Sequence, residues 1–130
     1  MTLVFDTSIL VDIENKNLST IKLIRELTKK YPARPSITVI NHYEFLWGLR
    51  NKSQTYRSTQ ELNLNKFFIL QTSRLTPVIL CSLRVKYESR GISIALPDLV
   101  ISALTIENNM TLLTKDKDFE KIKELKKIIL

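Results

Sequence analysis

Glycine, proline, cysteine and histidine are all scarce in this sequence. Only 2 of its 130 residues are glycine and 4 are proline. That excludes a collagen-like, linker or low-complexity architecture. The single cysteine, Cys81, can form no internal disulfide and excludes a cysteine-based metal site. It closes the apolar run Val78-Ile79-Leu80-Cys81, which predicts a buried packing role. No apolar run approaches the roughly 18 residues that a membrane helix needs. Met1 to Asp6 shows no basic segment leading into an apolar stretch, so no signal peptide is read. These absences predict a soluble, cytoplasmic protein with no membrane partner.

What is present supports a folded core. Hydrophobic residues make up 44% of the chain, well above the composition of a disordered segment. The length suits one domain, residues 1–130, since two independent cores would be hard to build from it. Lys and Arg total 20 against 13 Asp and Glu, a formal net charge of +7. Such a balance favours approach to a polyanion, although it also serves plain solubility.

Short β-type runs alternate with helical patterns. Thr2-Leu3-Val4-Phe5 reads as a strand that stops at Asp6-Thr7-Ser8, a polar triplet suited to opening a helix. A helix is predicted from Leu18 to Tyr31, ended by Pro32 and Pro35. Ser36 to Ile40 reads as a second strand. Asn41 is the expected cap of the next helix, with Glu44 completing a capping box. Asn51 to Lys66 is polar and predicts an exposed helix. Phe67 to Leu70 is a third strand. Thr76-Pro77 opens a helix, with Thr76 as cap, and Gly91 ends it. Pro97 opens another, reaching about Asn108. Met110 to Thr114 is a fourth strand, Phe119 to Lys127 a basic helix, and Ile128 to Leu130 a closing strand. This alternation predicts an α/β domain with a largely parallel sheet and helices on both faces.

In such folds function collects beyond the carboxyl ends of the strands. Asp6 follows the first strand directly, and Asp116 and Asp118 follow the fourth. Asp98 stands at the start of a helix, with Ser102 and Thr105 forming a polar stripe along the same face. Glu44 sits in the aromatic run His42-Tyr43-Glu44-Phe45-Leu46-Trp47. Taken singly, each acid is explained by capping or by a solvated turn. As a set they come from four chain regions, at positions consistent with one sheet end. Five carboxylates gathered there would repel and raise one another's pKa values, and a divalent cation cancels that repulsion. Oxygen ligands, with one cysteine and one histidine in the chain, select Mg²⁺, or Mn²⁺ in its place, over zinc. Such an ion can activate water and stabilise charge on a phosphodiester. In a basic protein this points to nuclease chemistry.

Other phosphate chemistries fit less well. A receiver domain needs a mid-chain phosphoacceptor Asp, and none lies between Glu44 and Asp98. A haloacid-dehalogenase-type phosphatase needs Asp two residues after the first, where Ser8 stands. A P-loop is excluded with only Gly48 and Gly91 available.

Three separated motifs resemble the PIN-domain ribonucleases, in particular the VapC-type toxins of toxin–antitoxin pairs. The first is the strand into Asp6-Thr7-Ser8 with Ile9-Leu10-Val11-Asp12. The second is Glu44 within Tyr43-Glu44-Phe45-Leu46-Trp47-Gly48. The third is Leu96-Pro97-Asp98-Leu99-Val100-Ile101-Ser102-Ala103, leading to Thr114-Lys115-Asp116-Lys117-Asp118-Phe119. The resemblance implies a three-layer α/β/α sandwich and an Mg²⁺-dependent endoribonuclease. By motif position Asp6, Glu44, Asp98 and Asp116 are the catalytic acids and metal ligands, with Asp118 a further ligand. Thr7 or Thr114 would position water or a ligand. The resemblance also implies a homodimer and a small antitoxin partner. Arg50, Lys52 and Arg57 are candidate RNA contacts, or simply a solvated helical face. Tyr43 and Trp47, at i and i+4, fit either base stacking or core and dimer contacts. Two alternatives remain: an RNA-processing nuclease that is no toxin, and a binding module that holds RNA or protein without cutting.

Overall fold

The computed structural model describes residues 2–130. Its strands are β1 (Leu3–Phe5), β2 (Ser36–Thr38), β3 (Phe68–Leu70), β4 (Thr111–Thr114) and β5 (Lys127–Ile129). Its helices are α1 (Thr7–Glu14), α2 (Leu18–Lys30), α3 (Val39–Gly48), α4 (Gln54–Leu64), α5 (Thr76–Glu88) and α6 (Leu96–Glu107). The five strands form one sheet in the order β3-β2-β1-β4-β5, every pair parallel.

β1, β3 and the middle of β4 read as unbroken apolar runs because both faces of the sheet are covered. Leu3, Phe5, Ile37 and Leu113 point into one core with Ile9 and Leu10 of α1, Phe45 of α3 and Leu64 of α4. Val4 and Leu112 point the other way, toward Leu83 and Tyr87 of α5 and Leu99 and Ile101 of α6. The result is the expected three-layer α/β/α sandwich. Among the described residues no helix is long and apolar enough to cross a membrane.

Chain order sets the location of the site. From β1 the chain winds outward through β2 to β3, then returns to lay β4 on the opposite side of β1. The winding reverses between β1 and β4, and a crevice opens there beyond their carboxyl ends. Asp6 and Asp116 stand at that crevice.

Several elements differ from the sequence expectation. β2 ends at Thr38, and Thr38 rather than Asn41 caps α3. The capping box is Thr38 with Asn41, so Glu44 lies a turn further in and is free of the role expected for it. α5 begins at Thr76, with Leu75 at the cap position and Pro77 in the first turn. The Thr76 hydroxyl accepts a hydrogen bond from the Ser73 backbone N–H at 2.8 Å. Cys81 is exposed, because α5 buries Thr76, Leu83 and Tyr87 instead. The basic helix expected from Phe119 to Lys127 is a 3₁₀ turn, Lys117–Lys121, followed by irregular chain. Its buried apolar residues, Phe119, Ile122 and Leu125, recur every third residue. Only Phe119 lies within the 3₁₀ turn; Ile122 and Leu125 are buried from the irregular chain after it.

Candidate metal-binding active site

Asp6 occupies the N-cap position of α1, yet its side chain makes no capping hydrogen bond. Its carboxylate turns toward the crevice and is 6% exposed. Three donors hold it. The Thr114 hydroxyl donates to Oδ2 at 2.6 Å, the Asn41 amide donates to Oδ1 at 3.1 Å, and the Ser8 hydroxyl lies 3.4 Å from Oδ2. The Asp6 backbone N–H donates to the Leu113 carbonyl at 2.9 Å, prolonging the β1–β4 ladder into the site.

Asn41 is the hub of this network and is fully buried. Its Oδ1 accepts from the Thr38 N–H at 3.2 Å and from the Thr38 hydroxyl at 2.7 Å. Its Nδ2 donates to Asp6 and also to Thr7 Oγ1, at 3.1 Å. The amide can face only one way, since a carboxylate accepts and never donates. Thr7, accepting from Asn41, then donates to Glu44 Oε1 at 2.7 Å. One buried amide therefore fixes acids from two distant motifs. The pattern Thr38-x-x-Asn41 was the available signal, and the reading of Asn41 as cap concealed it.

Thr114, also fully buried, plays the matching part on the other side. Its hydroxyl donates to Asp6 and accepts from the Asp116 N–H at 3.0 Å. Asp116 caps the 3₁₀ turn by accepting from the Asp118 N–H at 2.9 Å. The loop is also tied to α1. Lys115 Nζ pairs with Asp12 at 2.8 Å, and the Lys115 N–H donates to Ser8 at 3.1 Å. Burial pushes Asp12 upward, but hydrogen bonds from Lys115 and Thr20 outweigh it and hold its pKa below the usual range.

Asp98 projects from the first turn of α6. Oxygens of Asp98, Asp116 and Asp118 lie within 4.8 Å of one another. Burial raises the Asp98 carboxyl, and the charges of Asp116, Asp6, Asp118 and Glu44 raise it further, to about 6. The other four predicted acids thus all act on Asp98. The tight group contains three of the five, because the oxygens of Asp6 and Glu44 lean back onto Thr and Asn donors. The polar stripe expected to lead to Asp98 is not a surface feature. Ser102 and Thr105 are fully buried, and Thr105 returns its hydroxyl to the Ile101 carbonyl at 2.7 Å.

The donor set fits a hard divalent cation. It offers carboxylate oxygens only, crowded enough to disfavour full ionisation without a positive charge. Arg50, Lys52 and Arg57 do not join the acids through any hydrogen bond or ion pair found among the described residues. Arg50 instead lies over the Trp47 ring, 4.4 Å from its centroid. Lys52 Nζ lies 5.8 Å from the Tyr56 ring centroid. Tyr43 and Trp47 are not core residues, being 61% and 56% exposed.

The family model described as PIN domain matches residues 3–125. The chain belongs to the PIN-domain family. That family is one of nucleases, and the acids of all three motifs fall within the matched span. The solved structures agree on the fold. The chain is similar to a chain of VapBC2 from Rickettsia felis bound to a DNA fragment from their promoter. Identity is 25% and the TM-score 0.87, over 100% of this chain and 99% of the other. VapBC-1 from nontypeable Haemophilus influenzae gives 19% identity and a TM-score of 0.84, over 99% and 98% of the two chains. FitAcB from Neisseria gonorrhoeae gives 14% and 0.77, over 98% and 96%. These last two bear on the fold alone. No curated protein matches the chain in sequence.

Proposed function

We propose that this PIN domain, residues 1–130 taken as one unit, is an Mg²⁺-dependent endoribonuclease and the toxin of a type II toxin–antitoxin pair. The observation that carries the reading is the cluster of Asp98, Asp116 and Asp118 oxygens within 4.8 Å of one another, with the charges of Asp6 and Glu44 also felt at Asp98. Asp6, Glu44, Asp98 and Asp116 are the catalytic acids and, with Asp118, the groups that would hold the cation. Mn²⁺ would substitute for Mg²⁺, as both take oxygen ligands.

When bound, the cation supplies Lewis-acid stabilisation of charge on the phosphodiester and a lower pKa for water. The chain's own residues do the rest. Thr114 and Asn41 keep Asp6 oriented, and Thr7 keeps Glu44 turned toward it. Glu44, held at Oε1 by the Thr7 hydroxyl, is the acid poised to accept the proton of an attacking water. Arg50, Lys52 and Arg57 draw the RNA backbone to the domain. Likeness to VapBC chains supports a small antitoxin partner; a homodimer acting in the cytoplasm belongs to the same proposal. An RNA-processing role without an antitoxin is the second reading. An antitoxin-like reading frame beside this one separates the two.

The test uses labelled RNA with purified protein, with Mg²⁺ and with a chelator. Cleavage that needs the cation and disappears in Asp6→Asn is the expected result. Equal cleavage by parent and Asp6→Asn would remove the site assignment. RNA bound but never cut would favour the non-catalytic binding module.

A further inference from the structure

Beyond the acids, one feature of the surface has the chemistry of a binding site. α3 carries Tyr43 and Trp47 on its outer side, both more than half exposed. They line a cleft of about 280 Å³ with Leu46, Arg50, Arg57 and Glu61. Isolated exposed aromatics are ordinary. Two aromatics one helical turn apart, flanked by two arginines, are less so.

The arginines are not engaged elsewhere. None of the four ion pairs found among the described residues involves Arg50 or Arg57. Arg50 covers the Trp47 ring at 4.4 Å and uses one N–H on the Trp47 carbonyl, at 3.0 Å. Its stacked guanidinium is thereby held in place with most of its five donors unspent. Glu61 subtracts one charge, which leaves the cleft net positive. None of the five acids lines the cleft, but Glu44 lies close to it on α3. Trp47 is three residues beyond Glu44 on the same helix, so their side chains are neighbours, about 5–6 Å apart at Cβ.

We propose that this cleft is a subsite for an unpaired base of the RNA strand, stacked on Trp47 and Tyr43. Arg50 and Arg57 hold the adjoining phosphates. The proposal rests on the ribonuclease reading and deepens it: the substrate is single-stranded at the position next to the cut. A duplex hides its base faces and cannot enter. An aromatic face with cationic neighbours binds any base, so the subsite selects strandedness more than sequence.

Trp47 is the only tryptophan, so its fluorescence reports on the cleft directly. The experiment titrates full-length protein, in chelator to prevent cleavage, with a short unstructured oligoribonucleotide carrying a fluorescein label. Anisotropy of the label reports binding anywhere on the protein, and tryptophan emission reports occupancy of the cleft. The expected result is that both signals saturate together, and that the matching duplex binds more weakly. Trp47→Ala should weaken the anisotropy-detected affinity by about tenfold. Arg50→Met and Arg57→Met should each reduce the slope of log K against log salt by roughly 0.7.

RNA binding with unchanged tryptophan emission overturns the subsite and leaves the ribonuclease reading intact. So does full affinity in Trp47→Ala. Emission that changes with protein concentration alone, without RNA, assigns the cleft to a second copy of the chain and likewise overturns the subsite. No binding by anisotropy, together with no cleavage after Mg²⁺ is restored, removes both readings.

Discussion

Thr114 shows how much one hydroxyl can carry. It is fully buried, donates to Asp6 at 2.6 Å and accepts from the Asp116 N–H at 3.0 Å. Thr114→Val keeps the shape and removes both bonds. Outer partners of ligand acids are typically worth ten- to a hundredfold in metal affinity. Calorimetric titration with Mn²⁺ should therefore show Thr114→Val binding about tenfold or more weaker than the parent. Unchanged affinity would mean that Asp6 needs no such support. Asp98 gives a second residue-level prediction. Its carboxyl, pushed from an ordinary value near 3.8 up to about 6, is easier to keep protonated in the fold than in the unfolded chain. Its contribution to stability is therefore full below pH 3.8 and is lost as pH rises through 6. At pH 7 without divalent cations the ionised group is a burden. Asp98→Asn should raise the melting temperature there by a few degrees, on the order of 1 kcal/mol once solvent screening is allowed for. The gain should disappear at pH 4 and reverse in saturating Mn²⁺. A lower melting temperature at pH 7 in chelator would contradict the crowding of the acids.

At the scale of elements, the junction of β2 with α3 does two jobs. Thr38 caps the helix and also orients the Asn41 amide that holds Asp6 and Thr7. Thr38→Ala removes the cap at a cost of about 1 kcal/mol, measurable as a shift in urea midpoint. It should also weaken Mn²⁺ binding, because Asn41 loses its fixed orientation. A shift in stability with affinity unchanged would show the two jobs to be separate. This junction also marks the limit of what the sequence disclosed. The β-branched run through Val39 and Ile40 concealed the start of the helix, since a short apolar run looks alike in strand and helix. The resulting slip assigned the cap to Asn41 and a capping partner to Glu44. Elsewhere the elements were plain. β1, β3 and β4 are apolar on both faces and stop at polar residues, and Pro97 marks the start of α6 as expected. The carboxy-terminal error had a different cause. Charged residues between Phe119 and Lys127 look helical by composition, while the segment after Lys121 is irregular and leads into β5.

The whole molecule unites charges of opposite sign in separate places. The acids gather at the reversal of winding between β1 and β4, while the chain as a whole carries +7. The positions of Asp6, Asp98, Asp116 and Asp118 were legible because strand ends and helix starts are strong local signals, whereas Glu44, inside α3, has no such marker. The buried partners, Asn41 and Thr114, were harder to read because their contacts join segments tens of residues apart. Arg50 and Arg57 could be read as basic and exposed, but their shared cleft with Tyr43 and Trp47 is a tertiary fact. A domain of this charge should bind RNA with strong dependence on salt. A plot of log K against log salt should be linear with negative slope, and a flat plot would deny the backbone attraction.

Acids distant in sequence are proposed to share one cation. The most direct measurement is anomalous diffraction from a crystal of the protein soaked in Mn²⁺. The expected result is a peak among Asp98, Asp116 and Asp118, with Asp6 and Glu44 at its edge. A peak elsewhere, or none at saturating Mn²⁺ with the acids ionised and accessible, would contradict it.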